Sequence, residues 1–304
     1  MSRILITGAT GLIGSVLFKE LCKRGYDVAI LSRYPVKGNV RYFLWNPENH
    51  TIDINAIKEC DYIVHLAGTN IGNRRWTEKR KKEIRNSRWK TGMLLFDTVK
   101  SIGLFPKAYI SVSATGFYGI KSADDILTEL SLPSDDFLSD TCVKWEQAAR
   151  LFERENVRTV VIRSGMVLSN SGGVFPKLRL LVKSGLGSTF GNGYQYVPWI
   201  HISDLVQIFV YAIENEHVKG VFNAVAPEQV TNKQIIEMIA YYLNKRLWLP
   251  NIPERLLKLL FGEMSGMLLY GKRVSCKKLL ETGFEFNLPK LDTAICQLLS
   301  NSKH

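Results

Sequence analysis

Three glycines, Gly8, Gly11 and Gly14, close an apolar run in "ITGATGLIGSVLF". Residues without a Cβ at a strand end, followed at once by helical spacing, suit anion binding. A helix start presents free N–H groups and the positive end of the helix dipole. Gly8 permits the turn, Gly11 lets a pyrophosphate approach the backbone, and Gly14 lets the helix pack closely on the sheet. The spacing is GxxGxxG rather than GxGxxG, and a glycine-rich corner without a ligand is the alternative. A second chemical position is the end of the following strand, where an Asp or Glu would bind the 2′-hydroxyl of NAD ribose. This chain has Ser32 and Arg33 there, with Asp27 at the strand's other end. A hydroxyl beside a guanidinium suits a 2′-phosphate, which arginine grips bidentately. A plain surface arginine is the alternative.

These residues need a sheet to position them. "RILITG", "DVAILSR", "VRYFLW", "CDYIVHLAG", "KAYISVSA" and "RTVVIRSGMVL" read as six strands. Helical stretches alternate with them: "GLIGSVLFKELCKRG", one from about Thr77 to Ile102, and one from about Ser139 to Glu155. Strands written as continuous Val/Ile/Leu runs are buried on both faces, which predicts an α/β fold with a doubly wound parallel sheet. After Leu168 the chain turns Gly-rich, and from about Pro227 it is helical and polar. The expected division is a dinucleotide-binding domain over residues 1–225, with a Gly-rich insertion at about 169–199, and a small C-terminal substrate region over 226–304.

Composition narrows the class. The chain has 304 residues, 46% of them apolar and 22% charged, an ordinary balance for a globular protein. No apolar run reaches membrane-spanning length and no signal-peptide core follows Met1. The five cysteines lack CxxC spacing and read as reduced thiols, so a cytoplasmic protein without a metal site is expected. The net charge is +12, and Arg74–Lys90 alone carries nine basic residues against two glutamates. That stretch is an anion site or a solvated helix face. No nucleic-acid motif accompanies it, so a nucleic-acid partner is not expected.

"TGATGLIG", "HLAG" (His65–Gly68) and "SATGFYG" (Ser113–Gly119) together resemble the extended short-chain dehydrogenase/reductases. "RWTEKRKKEIRNSR", "DFLSDTCVKWEQAA", "VPWIHISDLV" and "LLETGFEF" narrow the likeness to their atypical epimerase-family subgroup of SDR39U1- and YfcH-like proteins. The resemblance spans nearly the whole chain. It implies a Rossmann fold with NADP(H) at the sheet's carboxyl edge and a short C-terminal helical domain. It implies that Thr7, Gly8, Thr10, Gly11, Leu12 and Ile13 form the pyrophosphate loop, and that Ser32 and Arg33 meet the 2′-phosphate. Leu66, Ala67 and Gly68 would follow the adenosine ribose, Glu83 and Arg88 would contact the cofactor, and Met166 would lie beside the nicotinamide half.

The broad family moves protons with Ser and a YxxxK pair on one helix face. Ser113 matches the serine, but Leu138 and Cys142 fall where the Tyr and Lys belong. Tyr118 is the first choice for a relocated acid, with Lys144, Glu146 and His201 behind it. Tyr118 and Lys121 are spaced YxxK in a loop and do not replace the pair. The expected function is an NADP-dependent oxidoreductase or epimerase acting on an unidentified small carbonyl or sugar-like substrate. An NADPH-binding sensor without turnover is the alternative, and the oligomeric state, monomer or homodimer, stays open. Asp204 is expected to cap the helix that starts near Ser203, and Trp145 to lie in the core.

Overall fold

The computed structural model describes residues 2–120 and 125–300. In chain order come β1 (Arg3–Thr7), α1 (Leu12–Lys23), β2 (Asp27–Ser32), β3 (Tyr42–Asn46), β4 (Thr51–Ile52), α2 (Asn55–Lys58), β5 (Tyr62–His65), α3 (Glu78–Ile102) and β6 (Ala108–Ala114). They are followed by β7 (Ile126–Leu127), α4 (Phe137–Arg154), β8 (Arg158–Ser164), β9 (Met166–Leu168), α5 (Phe175–Lys183), β10 (Tyr196–Val197), β11 (Trp199–His201), α6 (Ile202–Glu214) and β12 (Gly220–Ala224). The last part holds β13 (Val230–Thr231), α7 (Asn232–Tyr242), α8 (Glu254–Phe261), α9 (Gly266–Leu269), β14 (Arg273–Val274), α10 (Lys277–Glu281) and α11 (Leu291–Ser300).

The main sheet runs β12-β8-β6-β5-β1-β2-β3-β4. Its pairs are parallel except for the short edge strand β4, which is antiparallel to β3. Successive side chains of a strand point to opposite faces. Ile4 and Ile6 accordingly pack with α1 and α6 on one side, and Leu5 packs with α3 and α4 on the other. Chain order reverses at β1, which pairs β2 on one side and β5 on the other. Such a switch point opens a crevice at the strands' carboxyl ends.

Two elements differ from the sequence reading. "RTVVIRSGMVL" is two strands, because the chain turns at Gly165. β8 stays in the main sheet, while β9 leaves it to pair with β11. Gly165 is required there, since a Cβ would lie 2.6 Å from the Pro198 carbonyl oxygen. Asp204 does not cap α6; the His201 side chain does, by accepting from Ser203 N–H. Asp204 is fully buried and accepts from the Asn287 and Leu288 N–H groups, both at 3.0 Å. It ties the C-terminal segment to the sheet domain. The C-terminal unit has its own core, in which α5, α7 and α11 bury Phe175, Ile235, Ile239, Ala294 and Ile295. All five cysteines are free. Among the described residues no helix is long and apolar enough to cross a membrane, and no acidic, His or Cys cluster suits a metal.

Candidate functional site

The crevice is a cradle kept clear of side chains. Gly8 has φ +71°, and a Cβ there would lie 2.8 Å from the Leu66 carbonyl. A Cβ on Gly14 would lie 2.3 Å from the Gly8 oxygen. Both positions are therefore closed to any larger residue. Gly11, by contrast, is exposed, and its Cβ would meet only the Gly8 oxygen at 3.2 Å. α1 begins at Leu12 with Gly11 as its cap and no side-chain cap bond. The N–H groups of its first turn are left for a ligand. Thr10 is exposed beside them, and Leu12 touches the Gly172–Gly173 turn of the Gly-rich segment.

Thr7 acts from beneath. Its hydroxyl receives the Leu66 and Ala67 N–H groups at 3.2 Å and lies 2.8 Å from His65 Nδ1. Burial pushes the His65 pKa down to about 3, with Arg88 adding to the effect. This neutral, buried histidine pins β5 to β1 and fixes the Leu66–Gly68 backbone along the crevice. Arg88 leans over the Trp145 ring at 4.8 Å and against Gly68. It donates to the Ile84 carbonyl and has no carboxylate partner among the described residues. Burial pulls its pKa down to about 10. Trp145 is core, as its spacing implies.

At the far side of the crevice Arg33 is exposed, near Tyr34 but in no ion pair among the described residues. Ser32 Oγ accepts the Tyr34 N–H at 3.2 Å. Glu83 pairs with Arg80, which also donates to the Asn70 carbonyl. The rest of the basic stretch divides between ion pairs, such as Lys81 with Glu263 and Arg85 with Asp140, and exposed side chains such as Lys79 and Lys82. Met166 is half-buried at the start of β9.

The reacting end is built differently. Ser113, Glu146 and Arg163 are each 2% exposed, Tyr118 6% and Asn223 0%, so this is a closed polar network. Ser113 Oγ donates to Glu146 Oε1 at 2.8 Å. Arg163 grips Glu146 with two bonds of 2.8 Å, donates to the Tyr118 hydroxyl at 3.0 Å, and stacks 3.4 Å from the Phe117 ring centre. Tyr118 in turn donates to Asn223 Oδ1 at 2.7 Å. Burial raises the Tyr118 pKa despite the neighbouring guanidinium. Burial also opposes the Arg163 charge, but its bonds to Glu146 hold the pKa above the ordinary value. Tyr118 is thus bonded to both Arg163 and Asn223.

Leu138 and Cys142 do occupy one face of α4, against Gly116. Burial pushes the Cys142 thiol up to about 12. Lys144 pairs with Asp140, and Lys121 lies outside the described residues. His201 is buried; its Nδ1 faces the Ser203 hydroxyl at 2.7 Å, and burial lowers its pKa to about 4. Trp199 is fully buried, whereas Tyr196 lines a cavity of about 730 Å³ between the Gly191–Tyr196 stretch and Pro253, Glu254 and Leu269–Gly271 of the C-terminal unit.

Sequence reasoning passed over Arg163, Asn223 and Lys272. An arginine inside the apolar strand "RTVVIRS" was the available signal for the first, because a charge there requires a buried partner. Nothing local marks Lys272. It is 7% exposed, and its Nζ has no hydrogen-bond partner among the described residues. Burial lowers its pKa to about 8, against the pull of Asp136 and Cys142.

Comparison with known proteins follows this geometry. The model described as "NAD dependent epimerase/dehydratase family" matches residues 4–224, and "Domain of unknown function (DUF1731)" matches residues 252–298. Epimerase family protein SDR39U1 of Homo sapiens is 35% identical over 301 residues, covering 98% of this chain and 100% of that protein. Epimerase family protein YfhF of Bacillus subtilis is 36% identical over 304 residues, covering 99% of each. The crystal structure of human SDR39U1 (isoform2) with NADPH aligns with a TM-score of 0.89 at 37% identity, covering 98% of this chain and 99% of that one.

Proposed function

The chain belongs to the NAD dependent epimerase/dehydratase family, and from that premise we propose that it binds NADP(H) in the crevice between β1 and β5 as an oxidoreductase or epimerase on a small carbonyl or sugar-like substrate. The observation that carries the cofactor is the whole-length likeness to a human protein crystallised with NADPH. The Cβ-free cradle at Gly8 and Gly14 and the uncapped start of α1 fit a pyrophosphate.

In this reading Thr10, Leu12 and Ile13 hold the pyrophosphate through backbone N–H groups, and Gly11, whose N–H donates to the Gly8 carbonyl, keeps the approach clear. Thr7 keeps the loop in place, Ser32 and Arg33 take the 2′-phosphate, and Leu66–Gly68 line the ribose. Arg88 adds an uncommitted cation beside Gly68, and Met166 borders the nicotinamide. Glu83 contacts the cofactor from α3, its carboxylate also paired with Arg80. When bound, the nicotinamide supplies or accepts a hydride. Ser113 and Tyr118 then form the closed floor of the reacting end, with their hydroxyls committed to Glu146 and Asn223. Residues 226–304 cover the substrate side.

Calorimetry with NADPH and NADH tests the assignment. A charge-assisted contact to the 2′-phosphate is worth about 1.5–3 kcal/mol, so NADPH binds roughly ten- to a hundredfold tighter. Equal affinities would overturn the placement of Ser32 and Arg33. Leu138 and Cys142 in the expected catalytic slots favour a second reading, an NADPH sensor without turnover. Tight NADPH binding with no NADPH oxidation across aldehydes, ketones and quinones would select it.

A further inference from the structure

The cavity between the Gly191–Tyr196 stretch and the C-terminal unit has walls that are tied to each other. Gly191 N–H donates to the Ile252 carbonyl at 2.9 Å, and Ile252 N–H to the Thr189 carbonyl at 2.8 Å. Gln195 Nε2 crosses to the Leu268 carbonyl at 2.6 Å. Gly271 passes so close to Tyr196 that a Cβ would lie 2.2 Å from the Tyr196 oxygen. Lys272 N–H donates to that same oxygen at 3.2 Å. These contacts fix the backbone on both sides of a volume of about 730 Å³. Small-molecule sites run to roughly 300–1,000 Å³.

The lining has a distinct chemistry. Tyr194, Tyr196 and Tyr270 all face it, with Leu269 at the floor. The three tyrosines are 66%, 37% and 39% exposed, so much of their ring surface is open to a flat partner. Two lining side chains carry charge, Glu254 and Arg273. Glu254 is answered by Lys258 at 2.6 Å and by the Tyr270 hydroxyl at 3.3 Å. Arg273 lies over the Tyr196 ring, 5.5 Å from its centre. A guanidinium stacked on a ring can still turn its planar fork to a carboxylate. Lys233 lies over Tyr194 at 5.9 Å but pairs with Glu237 and does not line the cavity. The lining therefore offers aromatic faces and one cation, a poor match for a diphosphate and a good one for a monoacid.

The cavity also adjoins the expected reacting end. Tyr196 stands two residues before Pro198, roughly 7 Å along an extended chain. The Pro198 carbonyl accepts the Met166 N–H at 2.7 Å, and Met166 borders the nicotinamide in the reading above.

We propose that this cavity is the recognition subsite for the non-reacting part of the substrate, and that it takes an aromatic ring bearing one carboxylate. The ring lies among the tyrosines, the carboxylate meets Arg273, and the carbonyl to be reduced extends past Pro198 toward Met166. The proposal rests on the NADP(H) reading above.

Calorimetry on the full chain compares 2-naphthoate with its uncharged twin, 2-naphthamide. Naphthoate binds roughly tenfold tighter, the worth of a charge-assisted contact to Arg273. Equal affinities overturn the proposal, and so does UDP binding more tightly than naphthoate. Arg273→Met erases the preference and leaves naphthamide affinity unchanged. Asn192→Asp is the second variant and leaves β14 intact. It keeps an acceptor for the Tyr194 N–H and adds a carboxylate at the cavity wall. Naphthoate then weakens about fivefold while naphthamide does not. A preference that survives both substitutions places the acid elsewhere and refutes the subsite. Each titration is repeated with NADPH at saturation. Naphthoate affinity holds there; displacement by NADPH would put the acid in the β1 crevice and sink the proposal. A parent protein that fails to bind NADPH strikes the cofactor reading, while the naphthoate titrations without nucleotide still judge the cavity.

Discussion

The crevice at β1 and the network at the ends of β6 and β8 share one sheet edge and are built by opposite means. The crevice is emptied. Its glycines remove side chains, its helix starts without a side-chain cap, and Arg88 and Arg33 pair with no carboxylate among the described residues. The network is filled. Ser113, Glu146, Arg163, Tyr118 and Asn223 spend their side chains on one another. A ligand site is marked by donors that the protein leaves unsatisfied, and satisfied polar clusters serve as framework even when they contain residues with familiar catalytic roles.

Four substitutions test this contrast, beginning with the largest effect. Glu146→Ala strands a buried guanidinium, which costs about 3–5 kcal/mol. A steep fall in the urea midpoint is expected, with NADPH affinity retained by the fraction that stays folded. A midpoint within error of the parent would show that the network carries no load. Gly11→Val aims at the emptied side. Its side chain enters the crevice and meets little of the protein, so the fold survives while NADPH binding weakens about a hundredfold, or about 2.7 kcal/mol. Unchanged calorimetric affinity would put the cofactor elsewhere. Arg33→Ala cuts NADPH affinity roughly tenfold and spares NADH; equal losses for both nucleotides would detach Arg33 from the 2′-phosphate. Tyr118→Phe has the smallest effect, about 1 kcal/mol of stability from bonds lost to Asn223 and Arg163. A large drop in turnover at constant NADPH affinity would return Tyr118 to the chemistry.

The emptied region was legible in the sequence because its demands are local. Glycine spacing, a strand run and a helix start lie within a few consecutive residues, and so does the Ser32–Arg33 pair. The parallel sheet was legible for the same reason, each buried strand being written as its own apolar run. The filled region was not. Arg163 and Glu146 meet across a strand and a helix, Tyr118 and Asn223 across about a hundred residues, and no periodicity announces either contact. Tyr118 reads as an available acid until Asn223 is placed against it. Asp204 reads as a helix cap until Asn287 and Leu288 arrive from the chain's far end. β9 was hidden because a single glycine, Gly165, ends one strand and starts another within an unbroken apolar run.

That break has a consequence for how the protein changes over generations. β9 leaves the sheet and β11 returns to lie parallel beside it, with Met166 opposite Trp199 and Leu168 opposite His201. The Gly-rich excursion between them is therefore clasped at its base, like a cassette seated between two rails. Its far part carries Gly191–Tyr196, one wall of the cavity. Insertions and exchanges in such surface excursions are tolerated when the flanking frame is held independently. Change at this wall costs the frame little, whereas Gly8 and Gly14 in the crevice on β1 admit no larger residue.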